Sequence, residues 1–467
     1  MKTLTLFNAL SSQDLHWLAK FVDSPVHNKH QAVQRLFQYF RKHAPKGDAA
    51  LFEPVVLSDY LFGPDSRDIG TLRHNLNYFQ TVMEDFLAWQ EWSASQTARD
   101  ESLLRALQRR HMSAQGAKCV QRLQQANEDQ PLRNAAYCRQ TYKILLEEHQ
   151  MAAQEGRFVP GELQRLSDWH DMAYLSEKLK NACILASRQR IQQEPFNMGL
   201  LDAVLAHLHQ HPALLEQPSI AVYYYGYQTI TAPDNESNFQ ALRSYLPQVK
   251  SCFSTSELRD IHLLAINFCI YQINRRREHY LREVFELYIS GLESGVFVEK
   301  GRLPRFTYTN VVSTALRLRE FDWAFQFIHD YRDWLPEPQR HGTFSFNLAR
   351  YYSDKGDYDR AMPLLQQMDF DDPLLNLQGK MMLLKMYYET NASYALDSLL
   401  ASITAYLRRK KQLGAQQRLA HQNALRFMRR LFALKSKDQA GKIALKQEIS
   451  ATDVVAMKEW LLEMLSV

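Results

Sequence analysis

Apolar residues recur at intervals of three and four along almost the whole chain, the spacing of one face of an α-helix, and runs that alternate apolar with polar positions are absent. Ser11 followed by Asp14 has the form of a capping box, in which hydroxyl and carboxylate each satisfy an orphan amide of a first helical turn. Leu15, Leu18, Phe21 and Val22 continue the helix, and Ser24-Pro25 stops it. A second helix is predicted over about 30–43, with Val33, Leu36, Phe37 and Phe40 on one face. A third follows over about 68–92 on a stripe of Leu72, Leu76, Phe79, Met83, Phe86 and Leu87. Long helices are expected over 99–127, unusually polar and so an outer helix of a hairpin, and over 132–155. The most strand-like run, Ala221-Val222-Tyr223-Tyr224-Tyr225, lies between helix signals and is assigned to an aromatic helix face.

Short breaks separate the helices at Val159-Pro160-Gly161, 212–218, 233–238, 295–304, 336–342 and 371–373. The chain closes on Ser450 and Asp453, which have the form of another capping box. Val454, Met457, Trp460, Leu461 and Met464 then form the stripe of a final helix that folds back over the preceding ones.

Three segments align on Ala324, Ala361 and Ala395. In the best, Leu348 and Ala349 precede Ala361 on a first helix with Tyr352 behind them. Gly356-Asp357-Tyr358 makes a turn, Leu365 follows on a second helix, and Pro373 ends the unit. The copy on Ala324 has Ala315, Ile328 and Pro336 at matching places, and that on Ala395 has Met386 and Leu399. A degenerate copy centres on Ala241, and the Trp position holds Tyr308, Ser345 and Gly379. The pattern resembles the tetratricopeptide repeat (TPR), whose period is 34 residues. Small residues on both helices let them approach, and the Tyr fills the groove between them. The chain also resembles long helical bacterial proteins with TPR-like units, a resemblance that brings no activity with it. The TPR resemblance implies an all-α fold: a right-handed α-α superhelix of antiparallel helix pairs with a concave face that holds a partner peptide. Four regions are expected: an N-terminal helical module (1–95), long hairpins (96–212), TPR-like repeats (213–410), and a basic helix with a C-terminal cap (411–467).

Composition agrees with helices on short connections. Gly and Pro number only 16 each in 467 residues, well below the roughly 7% and 5% of average proteins. The five cysteines are odd in number and none are two or three residues apart, so buried reduced thiols are expected rather than disulfides or a zinc site. The N-terminal apolar run is short and broken by Asn8, without a cleavage pattern, and no run of about 18 apolar residues occurs, so a cytoplasmic protein is expected.

A net charge of +5 is modest, but it is unevenly placed. Between 405 and 446 twelve Lys and Arg stand against the single acid Asp438. The candidate contact residues are Arg408, Arg409, Lys410, Lys411, Arg418, Arg426, Arg429 and Arg430. On a helical wheel Leu425, Met428, Leu431 and Phe432 share one side, while Arg418, Arg426, Arg429 and Arg430 share another. This reads as a solvated capping helix or as a surface for an anionic partner: nucleic acid, an acidic protein segment or a phospholipid surface. Arg275-Arg276-Arg277 reads as a helix C-terminus balanced by Glu278 and Glu283.

Catalytic patterns are absent: no Gly-rich phosphate loop, no G-x-S-x-G, no H-E-x-x-H. His207 and His211 have metal-ligand spacing, but also suit a helix end before Pro212. Asp369, Asp371 and Asp372 could hold a cation or cap the helix near Pro373. The Trp89–Trp92 and Tyr223–Tyr227 clusters could stack on bases or peptide aromatics, or pack helices together. The reading is a non-enzymatic interaction scaffold with no cofactor or metal and a protein or peptide partner; the alternative is a nucleic-acid-associated or regulatory protein using 405–446.

Overall fold

Helices begin and end largely where capping and breaking residues stand. The computed structural model describes residues 2–157, 160–192, 195–366, 373–409, 414–434 and 438–466. Among these residues there are 23 α-helices and no strand, so the chain is all-α. No helix among them is long and apolar enough to cross a membrane. The chain divides into two units, one of Met1–Pro131 with Ala135–Tyr174 and one of Leu132–Asn134 with Leu175–Val467.

The first unit holds α1 (Lys2–Asn8), α2 (Ser12–Asp23), α3 (Gln31–His43), α4 (Pro54–Phe62), α5 (Ile69–Ala94), α6 (Gln96–Gln108), α7 (Ser113–Asp129), α8 (Ala135–Gln154) and the start of α9 (Pro160–Gln192). The Ser11–Asp14 box forms as expected, and Gln90 of α5 also donates to Asp14 at 2.7 Å. Leu18, Val22, Val33, Leu36, Phe40, Phe79 and Phe86 meet in one core. Phe7, from an N-terminal run with no helix expected, lies 5.5 Å from the Phe40 ring in an edge contact. The helix expected over 99–127 is two helices. His111 adopts a left-handed backbone at φ 54° between α6 and α7, and Cys119 and Leu123 fold back onto Leu104.

The second unit continues with α10 (Leu201–Gln210), α11 (Pro218–Thr231), α12 (Glu236–Gln248), α13 (Thr255–Asn274), α14 (Tyr280–Glu293), α15 (Arg305–Arg317) and α16 (Phe321–Asp330). Then come α17 (Glu337–Asp354), α18 (Tyr358–Gln366), α19 (Pro373–Glu389), α20 (Ser393–Arg409), α21 (Ala415–Ala433), α22 (Gln439–Ala451) and α23 (Lys458–Met464). Neighbours pair as α11–α12, α13–α14, α15–α16, α17–α18 and α19–α20, and α15, α17 and α19 also touch in succession. The Ala361 unit is a helix–turn–helix: Ala349 and Ala361 are fully buried, and Gly356 makes the turn at φ 75°, which a glycine adopts without strain. Ala324 is likewise buried three residues into α16. The third copy needs a correction. Leu396, not Ala395, stands three residues into α20 and is buried, whereas Ala395 is half-buried.

A second correction concerns the C-terminus. Ser450 lies inside α22, which runs on to Ala451 because Leu445 and Ile449 keep its apolar stripe buried. No cap forms at Ser450; α23 starts at Lys458 after Met457, whose backbone is left-handed at φ 56°. The intervening segment is tied to α21 by the Ala456 amide on the Ala420 carbonyl at 3.0 Å and by Asn423 on the Val454 carbonyl at 2.9 Å. The five cysteines are free thiols, four buried and Cys252 half-buried.

Candidate functional site

Three consecutive first helices turn matching faces to one groove in the second unit. Thr309, Asn310 and Ser313 come from α15; Phe346, Arg350, Ser353 and Asp354 from α17; Gln378, Met381, Met382 and Lys385 from α19. Those spacings of three, four and seven keep each set on one helix face. His421 of α21 and residues 455–460 close the far side, giving a groove of about 800 Å³, within the range of about 300–1,000 Å³ usual for ligand sites. The wall is mixed: Met381, Phe346 and Trp460 are buried at its base, while Asn310 and Gln378 are exposed.

The charges in the groove are only partly matched. Arg350 is half-buried and makes no hydrogen bond or ion pair with any described residue. Burial pulls its guanidinium pKa below the ordinary Arg value, Asp354 opposing that and Arg317 adding to it. Asp354, one turn on, lies at the exposed rim but is ringed by protein, which raises its carboxyl pKa against the pull of Arg350 and Lys385. The Lys385 amine makes a long contact of 3.9 Å with Glu389. The Lys458 amine is held by the Ser450 and Thr452 carbonyls, each at 2.8 Å. The groove therefore sets a fork of guanidinium donors and an amine beside adaptable Met side chains.

The basic residues singled out from the sequence do not line this groove. Arg408 and Arg409 are exposed at the end of α20, and Lys410 and Lys411 lie outside the described residues. Arg418 is half-buried on α21. Arg426 and Arg430 both reach Glu448 of α22, the former at 3.4 Å. Arg429 donates to the Thr404 hydroxyl at 2.5 Å, joining α21 to α20. Part of the basic face is thus matched from within the chain, by an acid two residues beyond the segment that composition marks. Arg275 and Arg277 pair with Asp234 at 2.6 and 3.4 Å, not with the Glu278 and Glu283 expected; Glu283 pairs with Arg243.

The aromatic candidates are only partly packed, Trp89 and Trp92 staying exposed. Tyr223 and Tyr224 are buried on α11, and Tyr225 stacks on Tyr245 of α12. Trp89 packs near Phe21 and Phe86, and the Trp92 indole donates to Ser102 at 3.1 Å. The His207 and His211 rings are 4.5 Å apart, and among the described residues no group of three ligand-type side chains gathers. Asp369, Asp371 and Asp372 lie outside the described residues. The groove residues carried a faint signal: Arg350 and Asp354, and Gln378 and Lys385, repeat at helix spacing beside the apolar stripe, as the border of any amphipathic helix does. No family model, curated protein or solved structure matches the chain.

Proposed function

We propose that this chain is a non-enzymatic interaction scaffold, a TPR-like solenoid that holds an extended segment of another protein in the groove of α15, α17 and α19. The observation that carries the reading is the registration of that groove. Equivalent faces of three successive first helices line it, and the segment before α23 walls it off. Repeats stacked this way present one continuous surface to a ligand.

Photo-crosslinking tests the reading. A benzoylphenylalanine at Ser313 or Met382, in cells expressing the full chain, should trap discrete adducts that protease removes and nuclease does not. The same probe at Tyr394, exposed on α20, should trap none of them. Identical adducts from all three positions would overturn the reading, and nuclease-sensitive adducts would transfer it to nucleic acid.

A further inference from the structure

We infer that the groove recognises an acidic residue of its peptide, an Asp or Glu side chain seated on Arg350 and flanked by apolar residues. The inference rests on the peptide-groove reading and names the chemistry of that site.

It starts from Arg350, which is half-buried, whereas Arg302, Arg319 and Arg332, which also reach no carboxylate, are exposed. Arg243, Arg259, Arg282 and Arg340 each reach a carboxylate across helices or turns. Arg350 has no such partner among the described residues, although it stands in the middle of the groove wall where protein desolvates it. A desolvated charge without a partner is unfavourable, and a ligand carboxylate would supply the missing bidentate acceptor. Asp354 does not fill that place: one turn on along the same helix, it forms no ion pair with Arg350.

Net charge selects the class of anion. Arg350 and Lys385 against Asp354 leave one positive charge at the centre of the groove, and Lys458 with Glu459 at its edge cancel. One positive charge matches a carboxylate. A phosphate dianion, or the serial phosphates of a nucleic acid, would meet Asp354 and Glu459 as like charges. Phe346, Met381 and Met382 beside Arg350 supply apolar contacts for the flanking residues, the methionines adapting to their shape.

A displayed library of random twelve-residue peptides, selected on the full chain, supplies the probe. The enriched peptides should share an Asp or Glu, and replacing it by Asn or Gln should weaken binding about tenfold or more, as expected for a close charge pair. On an Arg350→Met chain the acidic peptide and its amide version should bind alike, and Arg350→Lys should restore part of the difference. Phosphoserine at that position should bind more weakly than Glu. Without peptide, Arg350→Met should melt at or above the wild-type temperature, because it removes an unpartnered charge and keeps the apolar stem.

Each failure has its own signature. Peptides that need the groove, losing binding on Met382→Arg, but not Arg350 or an acid would overturn this inference and leave the peptide groove standing. No groove-dependent enrichment would overturn both. An Arg350→Met chain that melts well below wild type would mean that the guanidinium is held by the fold, which also overturns it. Binding of a mixed-sequence RNA that Arg350→Met abolishes would do so as well.

Discussion

The indole Nε1 of Trp460 donates to the Glu389 carboxylate at 2.6 Å, joining the last helix to the end of α19. The Tyr358 hydroxyl donates to the same carboxylate, so one acid gathers α18, α19 and α23. Trp460 and Leu461 are buried in a core with Leu377 and Leu384. Trp460→Ala should destabilise the second unit by about 3–5 kcal/mol through lost burial. Trp460→Phe should lose about 1–3 kcal/mol, chiefly the donor to Glu389. Denaturant midpoints measure both. A chain ending at Glu448 should melt lower or become insoluble; an unchanged melting temperature would refute the capping role of α23.

Gly291 has ordinary helical geometry, and space rather than backbone freedom explains it: a Cβ there would overlap the Phe297 ring. That ring is 1% exposed and lies against His262 and Tyr288, so it cannot swing away. Gly291→Ala gains up to about 1 kcal/mol of helix propensity but forces an overlap worth about 1–3 kcal/mol. The expected result is a lower melting temperature, partly recovered by adding Phe297→Leu.

Glu257 is a buried acid in a polar cluster. Burial raises its pKa, but hydrogen bonds from Lys180 at 2.8 Å and Asn134 at 2.7 Å, the Lys180 charge and the Ser254 amide together bring it below the ordinary Glu value. A depressed folded pKa means that the stabilisation is present above the unfolded value and lost as pH falls through the folded one. Melting temperature should therefore drop as pH falls below about 4.5, and Glu257→Gln should flatten that part of the profile.

His262 behaves in the same direction for a different reason. Burial lowers its pKa, only partly offset by the hydrogen bond between its Nδ1 and the Leu258 carbonyl at 2.8 Å. The unfolded chain takes up its proton first, so stability is full above about pH 6.5 and declines below it. His262→Phe should reduce the slope of melting temperature against pH below about 6.5.

Glu448 holds two arginines of the α21 face, and all three side chains are at least two-fifths exposed. Such pairs are worth about 0–1 kcal/mol, so Glu448→Gln should leave stability within that range. It should nevertheless free positive charge, and the variant should elute from heparin at higher salt than wild type. Elution at or below the wild-type salt would show that Arg426 and Arg430 do not meet polyanions.

Helix positions were legible wherever a local rule sufficed. Ser11 with Asp14, the stripe from Leu72 to Leu87, and the turn at Gly356 between Ala349 and Ala361 all act over a few residues, and each formed as read. Local rules failed where burial between helices competed with them. The periodic run over 99–127 breaks at His111, because α7 folds back to bury Cys119 and Leu123 on Leu104. The cap read at Ser450 loses to Leu445 and Ile449, which carry α22 past it.

Composition by itself determined the class: few Gly and Pro with a pervasive 3.6-residue period admit helices on short connections and little else. Tertiary structure alone decided which charges are matched. Glu448 meets Arg426 and Arg430, Asp234 meets Arg275 and Arg277, and Arg350 forms no ion pair with any described residue. Hydrophobic periodicity repeats every turn and is visible in any short window. Ion pairing depends on distances of a few ångströms between residues tens of positions apart, and only the packing of whole helices sets those.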